Sequence, residues 1–379
     1  AGEVMQLVNE YHVDPEHTDY DSLTRNALKE MVGSLDNYSG YMDNSDYEEF
    51  EIHTEQHYAG IGAEVGLLDS RVTVLGIFPN SPAEEAGLLV GDEIVAVGDT
   101  DTSRYSVQQT VDLLRGEPGS EATMTVYRPM EGEEVTFTLK RREIDYPSLR
   151  EVYLDEDGIG YLKLASFGRE SGDELEAAIN HLNAQGMRAL VLDLRGNPGG
   201  LLSQAIDVAD LFVDRGKLIV TTRDRSGNTR EEAYAMHPPV AAPPMVILID
   251  HSSASASEIV AGALQDHGRA VIVGENSVGK GSVQSVYSFS NGDGMRLTSA
   301  MYYLPSGRTI HEKGVEPDIT VSLPTSERMN LSLQRSQLRV IDSATFRARY
   351  GFDPIPDRQL DRAWDILLGV LSYQVNHDN

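Results

Sequence analysis

The sequence predicts a multidomain α/β protein in which a β-rich module lies between an N-terminal helical segment and an α/β core, with a helical C-terminal region. The length of 379 residues exceeds that of one ordinary domain. Apolar, β-branched runs alternate with helical stretches within residues 143–324, which indicates a sheet covered on both faces. Residues 56–142 combine several short strands with only two helices, which indicates a separate unit.

The two ends of the chain, residues 1–55 and 325–379, are predicted to be helical because their apolar residues recur at helical spacing. A stripe of this kind is more often core or a subunit contact than a cofactor site. We therefore expect a homo-oligomer formed through the terminal helices. The C-terminal stripe consists of Leu360, Ala363, Trp364, Leu367 and Leu368.

Five runs in the core segment are predicted to be strands, and three stretches are predicted to be helices. The strands are expected at Gly160–Leu164, Ala189–Leu194, Leu218–Thr222, Met245–Asp250 and Ala270–Gly274, and the helices near 171–184, 201–213 and 256–267. In the module that precedes the core, Ser81 and Ser106 are expected to begin the two helices.

The composition excludes several classes of function. A net charge of −29, from 60 acidic and 31 basic residues, argues against nucleic acid and anionic membrane surfaces as partners. The chain has no cysteine, which excludes thiol catalysis and thiolate metal sites. It has no run of 18 apolar residues, and its opening Ala-Gly-Glu-Val lacks the basic start of a signal peptide. We expect that any signal or anchor segment is not in this chain.

Ser255 follows a predicted strand and precedes a predicted helix, in the run His251-Ser-Ser-Ala-Ser-Ala-Ser-Glu-Ile259. A sharp strand-to-helix turn can present a hydroxyl beside backbone amides that have no helical partner. The same residues also fit a capping box, with Ser255 as N-cap and Glu258 three residues later. The alternative nucleophiles in this run are Ser252, Ser253 and Ser257.

Lys280, one of only six lysines, lies between two glycines after a predicted buried strand. An amine acts as a base near neutral pH only if its pKa falls by roughly three units from about 10.4, a shift within reach of burial. Gln284, four positions later, shares a face with Lys280 on either a strand or a helix. An uncharged amide can orient the amine without restoring its charge. A surface loop and a solvated strand are the alternative explanations for these two residues.

The run Leu192-Asp-Leu-Arg-Gly-Asn-Pro-Gly-Gly-Leu201 is predicted to be a strand that enters a glycine turn and then a helix. Glycines let the backbone turn sharply and present N–H groups. We expect this turn to supply a second hydrogen-bond donor to the site of Ser255, and a plain turn is the alternative.

Two competing chemistries are less well supported by the sequence. Gly274-Glu-Asn-Ser-Val-Gly-Lys280 approaches a phosphate-binding loop, but residue 281 is a glycine where that loop has a hydroxyl, and a strand-like alternation follows. A triad with Asp266 and His267 fails because the intervening helix places His267 roughly 18 Å from Ser255. Neither His-Glu-x-x-His nor Gly-x-Ser-x-Gly occurs.

Taken together, the motifs resemble those of the carboxyl-terminal processing proteases, also called tail-specific proteases. Ser-Ala-Ser-Ala-Ser-Glu-Ile, Gly-Lys-Gly-Ser-Val-Gln and Asp-Leu-Arg-Gly-Asn-Pro-Gly-Gly stand in the family's order and spacing. The resemblance implies a ClpP/crotonase-like protease core in which Ser255 is the nucleophile, Lys280 the general base and Gln284 its orienting partner. It also implies Gly200 and Ala256 as oxyanion-hole donors, with no metal and no cofactor.

The module at 56–142 resembles the family's PDZ domain, a substrate sensor. In Ala59-Gly-Ile-Gly-Ala63, the residues Gly60, Ile61 and Gly62 fit the loop that holds a C-terminal carboxylate through consecutive amides. Arg115 resembles a family arginine that links the sensor to the active site, and a surface ion pair is its alternative explanation.

The run Leu35-Asp-Asn-Tyr-Ser-Gly40 resembles the family's N-terminal segment, with Asn37 at a position where proline is common. The expected function is that of a serine endopeptidase that recognises the C-terminal tails of protein or peptide substrates through its PDZ domain. A catalytically idle peptide-binding scaffold is the alternative, and a hydratase- or isomerase-like enzyme on a related core is a third. The family further implies an adaptor protein and an extracytoplasmic location, in the periplasm or at the cell envelope.

Overall fold

The computed structural model describes residues 2–377 apart from 15, 17, 48, 49, 51–57, 69, 70, 79, 130, 145–147, 241, 242 and 338–341. The chain forms two compact units. The first contains Ala1–Glu51, Ser148–Val321 and Arg362–Asn379, and the second contains Ile52–Pro147 and Ser322–Asp361. The predicted boundary at residue 55 lies outside the described residues.

The described helices, in chain order, are α1 (Gly2–Tyr11), α2 (Tyr20–Gly33), α3 (Pro82–Glu85), α4 (Val107–Leu114), α5 (Ser171–Ala184), α6 (Leu202–Asp210), α7 (Ala256–Asp266), α8 (Thr325–Gln337), α9 (Ser343–Tyr350) and α10 (Arg358–His377). The described strands up to the core are β1 (Gly40–Met42), β2 (Tyr58–Gly60), β3 (Ala63–Leu68), β4 (Arg71–Ile77), β5 (Glu93–Val97), β6 (Thr100–Asp101), β7 (Glu121–Arg128), β8 (Glu133–Lys140) and β9 (Arg142–Ile144). The strands of the core and after it are β10 (Leu149–Leu154), β11 (Ile159–Leu164), β12 (Ala189–Asp193), β13 (Leu218–Asp224), β14 (Thr229–Tyr234), β15 (Met245–Ile249), β16 (Val271–Gly274), β17 (Ser282–Ser288), β18 (Gly294–Tyr303) and β19 (Ile319–Thr320).

The core of the first unit is a six-stranded sheet with the order β10-β11-β12-β15-β16-β19, parallel except for the edge strand β10. Strands β12 and β15 are buried along their whole length, as expected for parallel strands whose two faces are covered. Helices α5, α6 and α7 contribute buried residues to the same apolar cluster. The predicted alternation of apolar strands and helices is therefore confirmed.

Strand β13, predicted together with the core strands, belongs to a different sheet, so this part of the prediction is wrong. The second sheet has the order β1-β18-β13-β14, with β17 also paired to β18, and all of its pairs are antiparallel. A tight turn closed by the bond from Asp224 N to Asn228 O leads β13 directly into β14. The resulting hairpin decides the pairing, which the apolar pattern of a short run cannot show.

The N-terminal segment contributes a strand as well as helices. Residues of β1 pair with β18, and Gly40 lies opposite Arg296. The turn that precedes β1, at residues 36–39, therefore lies beside β18, the strand that also pairs on its other side with β17, which follows Lys280.

The second unit contains a small antiparallel sheet with the order β3-β4-β5-β7-β8, and β3 is an edge strand of this described sheet. Its core is formed by apolar residues such as Val74, Met124 and Val126. The predicted caps are confirmed: Ser106 Oγ accepts from Gln109 N at the start of α4, and Ser81 Oγ accepts from Glu84 N at α3.

Helix α10 packs onto the first unit through Trp364, whose ring lies 6.2 Å from that of Tyr161 and whose Nε1 donates to Asp155. The apolar stripe predicted for this helix thus includes a core contact. Among the helices in the described part of the chain, none is both long enough and apolar enough to span a membrane.

Candidate active site

Ser255 lies at the N-cap of α7, after the turn that follows β15. Its backbone has φ 55° and ψ −112°, a conformation that residues with a side chain rarely adopt. The turn is held from the neighbouring glycine loop, because Ala254 N donates to Asn197 O over 3.0 Å. Strain kept in place by surrounding bonds is common at functional sites.

The three alternative serines of this run are either buried and hydrogen-bonded or exposed to solvent. Ser253 and Ser257 are fully buried, and their hydroxyls donate to Leu194 O over 2.8 Å and to Asn197 O over 3.0 Å. Ser252 is exposed, whereas Ser255 is half-buried. Of the four serines, only Ser255 combines the helix N-terminus with partial access.

Glu258 is the residue that joins the serine turn to the lysine loop. Its carboxylate is fully buried, and its Oε2 accepts both from Ser255 N over 2.8 Å and from Lys280 N over 2.9 Å. Its Oε1 accepts from Gly279 N and from Ser277 Oγ. The sequence identified Glu258 only as a helix cap, and the residues separated by 25 positions meet here at one oxygen atom.

Lys280 is half-buried, with its Nζ 5.3 Å from the centroid of the Tyr38 ring. Burial lowers the pKa of Lys280, and the nearby positive charge of Arg296 lowers it further, while Glu258 acts in the opposite direction. Among the hydrogen bonds of the described residues, none joins Lys280 Nζ to Ser255 Oγ. The structure thus brings the two backbones together at Glu258, and burial lowers the pKa of the amine.

Gln284 lies on β17, where its Nε2 donates to Ser282 Oγ over 2.8 Å and to Thr298 Oγ1 over 3.4 Å. Within the described part of the chain it makes no hydrogen bond to Lys280. The strand predicted after the lysine is confirmed, since residues 282–288 pair with β18 instead of opening a helix. The pairing of Gln284 with Lys280 stays a prediction.

The glycine turn after β12 packs directly against the serine turn. A side chain on Gly199 would lie 2.8 Å from Ser255 Cβ and 3.0 Å from Ala256 N, so only glycine fits there. The neighbouring bonds run from Phe167 N to Gly199 O and from Leu201 N to Phe167 O. They leave Gly200 N without an acceptor among the described residues, and Ala256 N likewise has none.

The glycine turn is held by buried polar side chains that the sequence did not single out. Asn197 accepts from Gly199 N over 2.9 Å and donates to Leu164 O over 2.9 Å. Asp193, fully buried at the end of β12, accepts from Tyr161 and from Lys163 Nζ. The sequence did contain a signal for Asp193: an acidic residue at the end of an apolar strand indicates a buried charge, and a buried charge requires partners.

The second unit contains the glycine turn predicted to bind a carboxylate. Gly62 has φ 79°, and a side chain there would lie 2.2 Å from Ser81 Cβ. The carbonyls of Ile61 and Gly62 accept from Ala83 N and Phe78 N. These hydrogen bonds hold the turn in place through its carbonyl groups. Arg115 caps α4, with its Nη1 3.9 Å from Asp112.

The competing triad is not assembled. His267 Nε2 lies 2.7 Å from Leu218 O, and Asp266 lies 3.0 Å from Arg308. In the described residues, no group of three or more acidic or histidine side chains is arranged to hold a metal ion.

Comparison with known proteins gives two family matches. Residues 158–321 match the model described as peptidase family S41, and residues 73–128 match the PDZ domain. The carboxy-terminal-processing protease of Bartonella bacilliformis is 35% identical over 373 residues, which cover 94% of this chain and 85% of that protein. The carboxyl-terminal-processing protease of Picosynechococcus sp. is 36% identical over 304 residues, covering 78% of this chain and 72% of that protein.

One solved structure is similar over most of its length. The protein named photosystem II D1 C-terminal processing protease superimposes with a TM-score of 0.53 at 30% sequence identity. The match covers 86% of this chain and 94% of that one.

Proposed function

The chain belongs to the carboxy-terminal processing proteases of peptidase family S41 and is a serine-type peptidase with a PDZ domain, and on that basis we propose that Ser255 is its nucleophile and Lys280 its general base. The observation that carries this assignment is the buried carboxylate of Glu258, which accepts from the amides of both residues. It fixes the lysine loop beside the N-terminus of the serine helix.

In the proposed reaction, Ser255 Oγ attacks the carbonyl carbon of a substrate peptide bond while Lys280 Nζ takes the hydroxyl proton. The same amine then gives that proton to the leaving amine as the peptide bond breaks, which leaves an acyl group on Ser255. Water, which gives a proton to Lys280, then attacks the acyl carbon; the bond to Ser255 Oγ breaks, Lys280 returns the proton to Oγ, and the product leaves as a carboxylic acid that ionises in solution. Burial supports the base role because it disfavours the charged form of the amine.

The oxyanion formed in each step is assigned to the amides of Gly200 and Ala256. Support comes from their lack of other acceptors among the described residues and from the packing of Gly199 against Ala256 N. Preorganised amides at a helix N-terminus stabilise a charge that develops only in the transition state.

The missing bond between Ser255 Oγ and Lys280 Nζ is compatible with this role. Catalytic hydrogen bonds are often long without substrate and shorten only in the reacting complex. Gln284 is proposed to orient Lys280 in that complex. Without substrate, its side-chain amide is bonded to Ser282 and Thr298.

The PDZ domain is proposed to select substrates that carry a free C-terminus. The amides of Gly60, Ile61 and Gly62 would hold the terminal carboxylate, and the edge strand β3 would pair with the extended tail. Arg115 is proposed to link this sensor to the active site. Cofactors are not part of the proposal.

The remaining expectations are also proposals. The four domains are 1–55, 56–142, 143–324 and 325–379, with the ClpP/crotonase-like core in the third. We further propose a homo-oligomer formed through the terminal helices, an adaptor protein as a partner, and an extracytoplasmic location.

The test is the Ser255→Ala variant incubated with an unstructured polypeptide that ends in a free carboxylate. Mass spectrometry should find fragments with the wild-type protein and none with the variant. The variant should still bind the tail in a calorimetric titration. Fragments produced by Ser255→Ala at the wild-type rate would rule out the assignment.

A further inference from the structure

The turn at residues 36–39, just before β1, is fixed to β18, the strand that pairs with β17 after the lysine loop. Asp36 Oδ1 accepts from Tyr38 N over 2.7 Å, from Ser39 N over 2.8 Å and from Thr298 Oγ1 over 3.1 Å. Thr298 N donates to Ser39 Oγ over 3.0 Å, and Arg296 Nε donates to Tyr38 O over 2.7 Å. Asp36, Ser39 and the carbonyl of Tyr38 are thus bonded to one another or to β18.

This anchoring directs the Tyr38 ring to the amine of Lys280. The distance from Nζ to the ring centroid is 5.3 Å, and Tyr38 is itself half-buried. Thr298 also accepts from Gln284, so the turn is linked through Thr298 to the residue proposed to orient the lysine. A segment from the N-terminal region, predicted from the sequence to be helical, therefore lies at the amine on which the reaction depends.

We propose that Tyr38 is a positioning residue for the general base: its ring covers the Lys280 amine, excludes water from it and so disfavours its charged form. The proposal rests on the proposed role of Lys280 as the base. It assigns a function within the active site to the segment at 36–39, which precedes the protease core by more than a hundred residues.

Two effects of an aromatic ring on an amine oppose each other. Exclusion of water disfavours the ammonium form, and full burial can shift a lysine by up to roughly three to five pH units. The attraction between an ammonium group and a ring face favours the charged form by only about 0.5–1 kcal/mol at a partly exposed site, less than one pH unit. Since burial can shift the pKa of an amine further than the attraction of a ring does, we expect exclusion of water to outweigh that attraction.

The charged and titratable groups around Lys280 come from several elements. Arg296 on β18 lowers the pKa of the amine, and Glu258 on α7 raises it. The Tyr38 hydroxyl belongs to the turn before β1, and the backbone of His311 packs behind Gly281. Replacing Tyr38 changes none of the other charges, so a shift in the lysine titration reports the loss of the ring.

The experiment is an NMR titration of the whole protein labelled with lysine that carries carbon-13 at Cε. Six lysines give a simple spectrum, and the loss of one signal in Lys280→Arg assigns the residue. In Tyr38→Ala the midpoint of the Lys280 titration should rise by about one pH unit, whereas Tyr38→Phe should keep the wild-type midpoint. Tyr287→Ala, which removes an exposed tyrosine from β17, is the matched control and should also leave it unchanged.

A neutral variant in the anchor provides a second measurement if Tyr38→Ala melts too early. Ser39→Ala loosens the turn without removing a charge, and it should raise the same midpoint by a smaller amount. An unchanged or lowered midpoint in Tyr38→Ala, or in Ser39→Ala where that variant is used, overturns the proposal. The proposal is also overturned if the midpoint of the Lys280 titration rises as far in Tyr38→Phe as it does in Tyr38→Ala.

Kinetics separate this proposal from the assignment of the base. If Lys280 is the base, the acidic limb of kcat/KM against pH moves with the NMR midpoint, so that activity near pH 7 falls about tenfold in Tyr38→Ala and recovers at high pH. If the NMR midpoint moves and the acidic limb does not, Tyr38 controls Lys280 but the base is another group. That outcome overturns the proposed mechanism and leaves the role of Tyr38 in the lysine titration intact.

Discussion

The two units each contain a glycine turn that presents backbone amides, at Gly196–Gly200 in the protease core and at Gly60–Gly62 in the PDZ domain, and they hold these turns differently. Buried side chains, above all Asn197, fix the first turn against Ser255. Backbone bonds to its carbonyls, together with one from the buried Ser81 hydroxyl to Gly62 O, fix the second. A charge that forms only in a transition state needs rigid donors placed beside the nucleophile, whereas a substrate's permanent carboxylate needs only an accessible nest of amides.

The serine turn beside the core glycine turn is joined to the lysine loop through Glu258, and the loss of the lysine gives the largest expected effect. Lys280→Met removes the amine and keeps an apolar chain of similar length, so kcat/KM at pH 7 should fall at least about a thousandfold. Tail binding measured by calorimetry should not change. Lys313→Met, at an exposed lysine, is the control and should leave both quantities as they are. Cleavage retained by Lys280→Met would show that the amine is not the base.

The core glycine turn should lose catalysis when its fit to the serine turn is disturbed. In Gly199→Ala the new methyl would lie 2.8 Å from Ser255 Cβ, so the oxyanion amides must separate and kcat should fall about a hundredfold. Gly196→Ala belongs to the same turn but meets open space, and it should keep kcat. Steady-state kinetics on a short chromogenic peptide measure both. Equal losses in the two variants would mean that backbone strain, not position, matters.

The PDZ glycine turn should affect recognition and spare the chemical step. In Gly62→Ala the methyl would lie 2.2 Å from Ser81 Cβ, so the turn must shift and the Kd for a tail peptide should rise about tenfold. The cleavage rate of a short peptide without a tail should stay constant. Gly87→Ala, also at positive φ but in open space, is the control. If Gly62→Ala lowers the short-peptide kcat as Gly199→Ala does, the division of labour between the turns is wrong.

The smallest expected effect concerns the strain at the nucleophile. The free energy of unfolding in urea should be higher for Ser255→Gly than for Ser255→Ala by about 1 kcal/mol. Glycine adopts a φ of 55° without strain, and the greater flexibility of the unfolded glycine chain offsets part of this gain. Both variants should be inactive, so the difference reflects the backbone alone. Equal midpoints of unfolding would indicate that the turn is unstrained.

The sequence predicted most core strands and helices because they depend on local periodicity, whereas the pairing of Ser255 with Lys280 rests on motifs that resemble a known family and stays a prediction. The placement of β13 in the second sheet was not predictable from its apolar run, since the hairpin with β14 and the edge of β18 decide it. Glu258 could be recognised as a helix cap but not as the acceptor for the lysine loop. Tyr38 lies in a run that resembles the family's N-terminal segment, but no local pattern placed it at Lys280, because its position arises from a strand pairing across more than 250 residues.

The central claim is that Lys280 comes within hydrogen-bonding distance of Ser255 Oγ when the enzyme reacts. A crystal structure of the protein with a peptide boronate bonded to Ser255 tests it directly. We predict a hydrogen bond from Lys280 Nζ to Ser255 Oγ, and a boronate oxygen that accepts from Gly200 N and Ala256 N. An adduct in which the amine stays out of hydrogen-bonding range of Oγ, or in which neither amide contacts the boronate, would contradict the account.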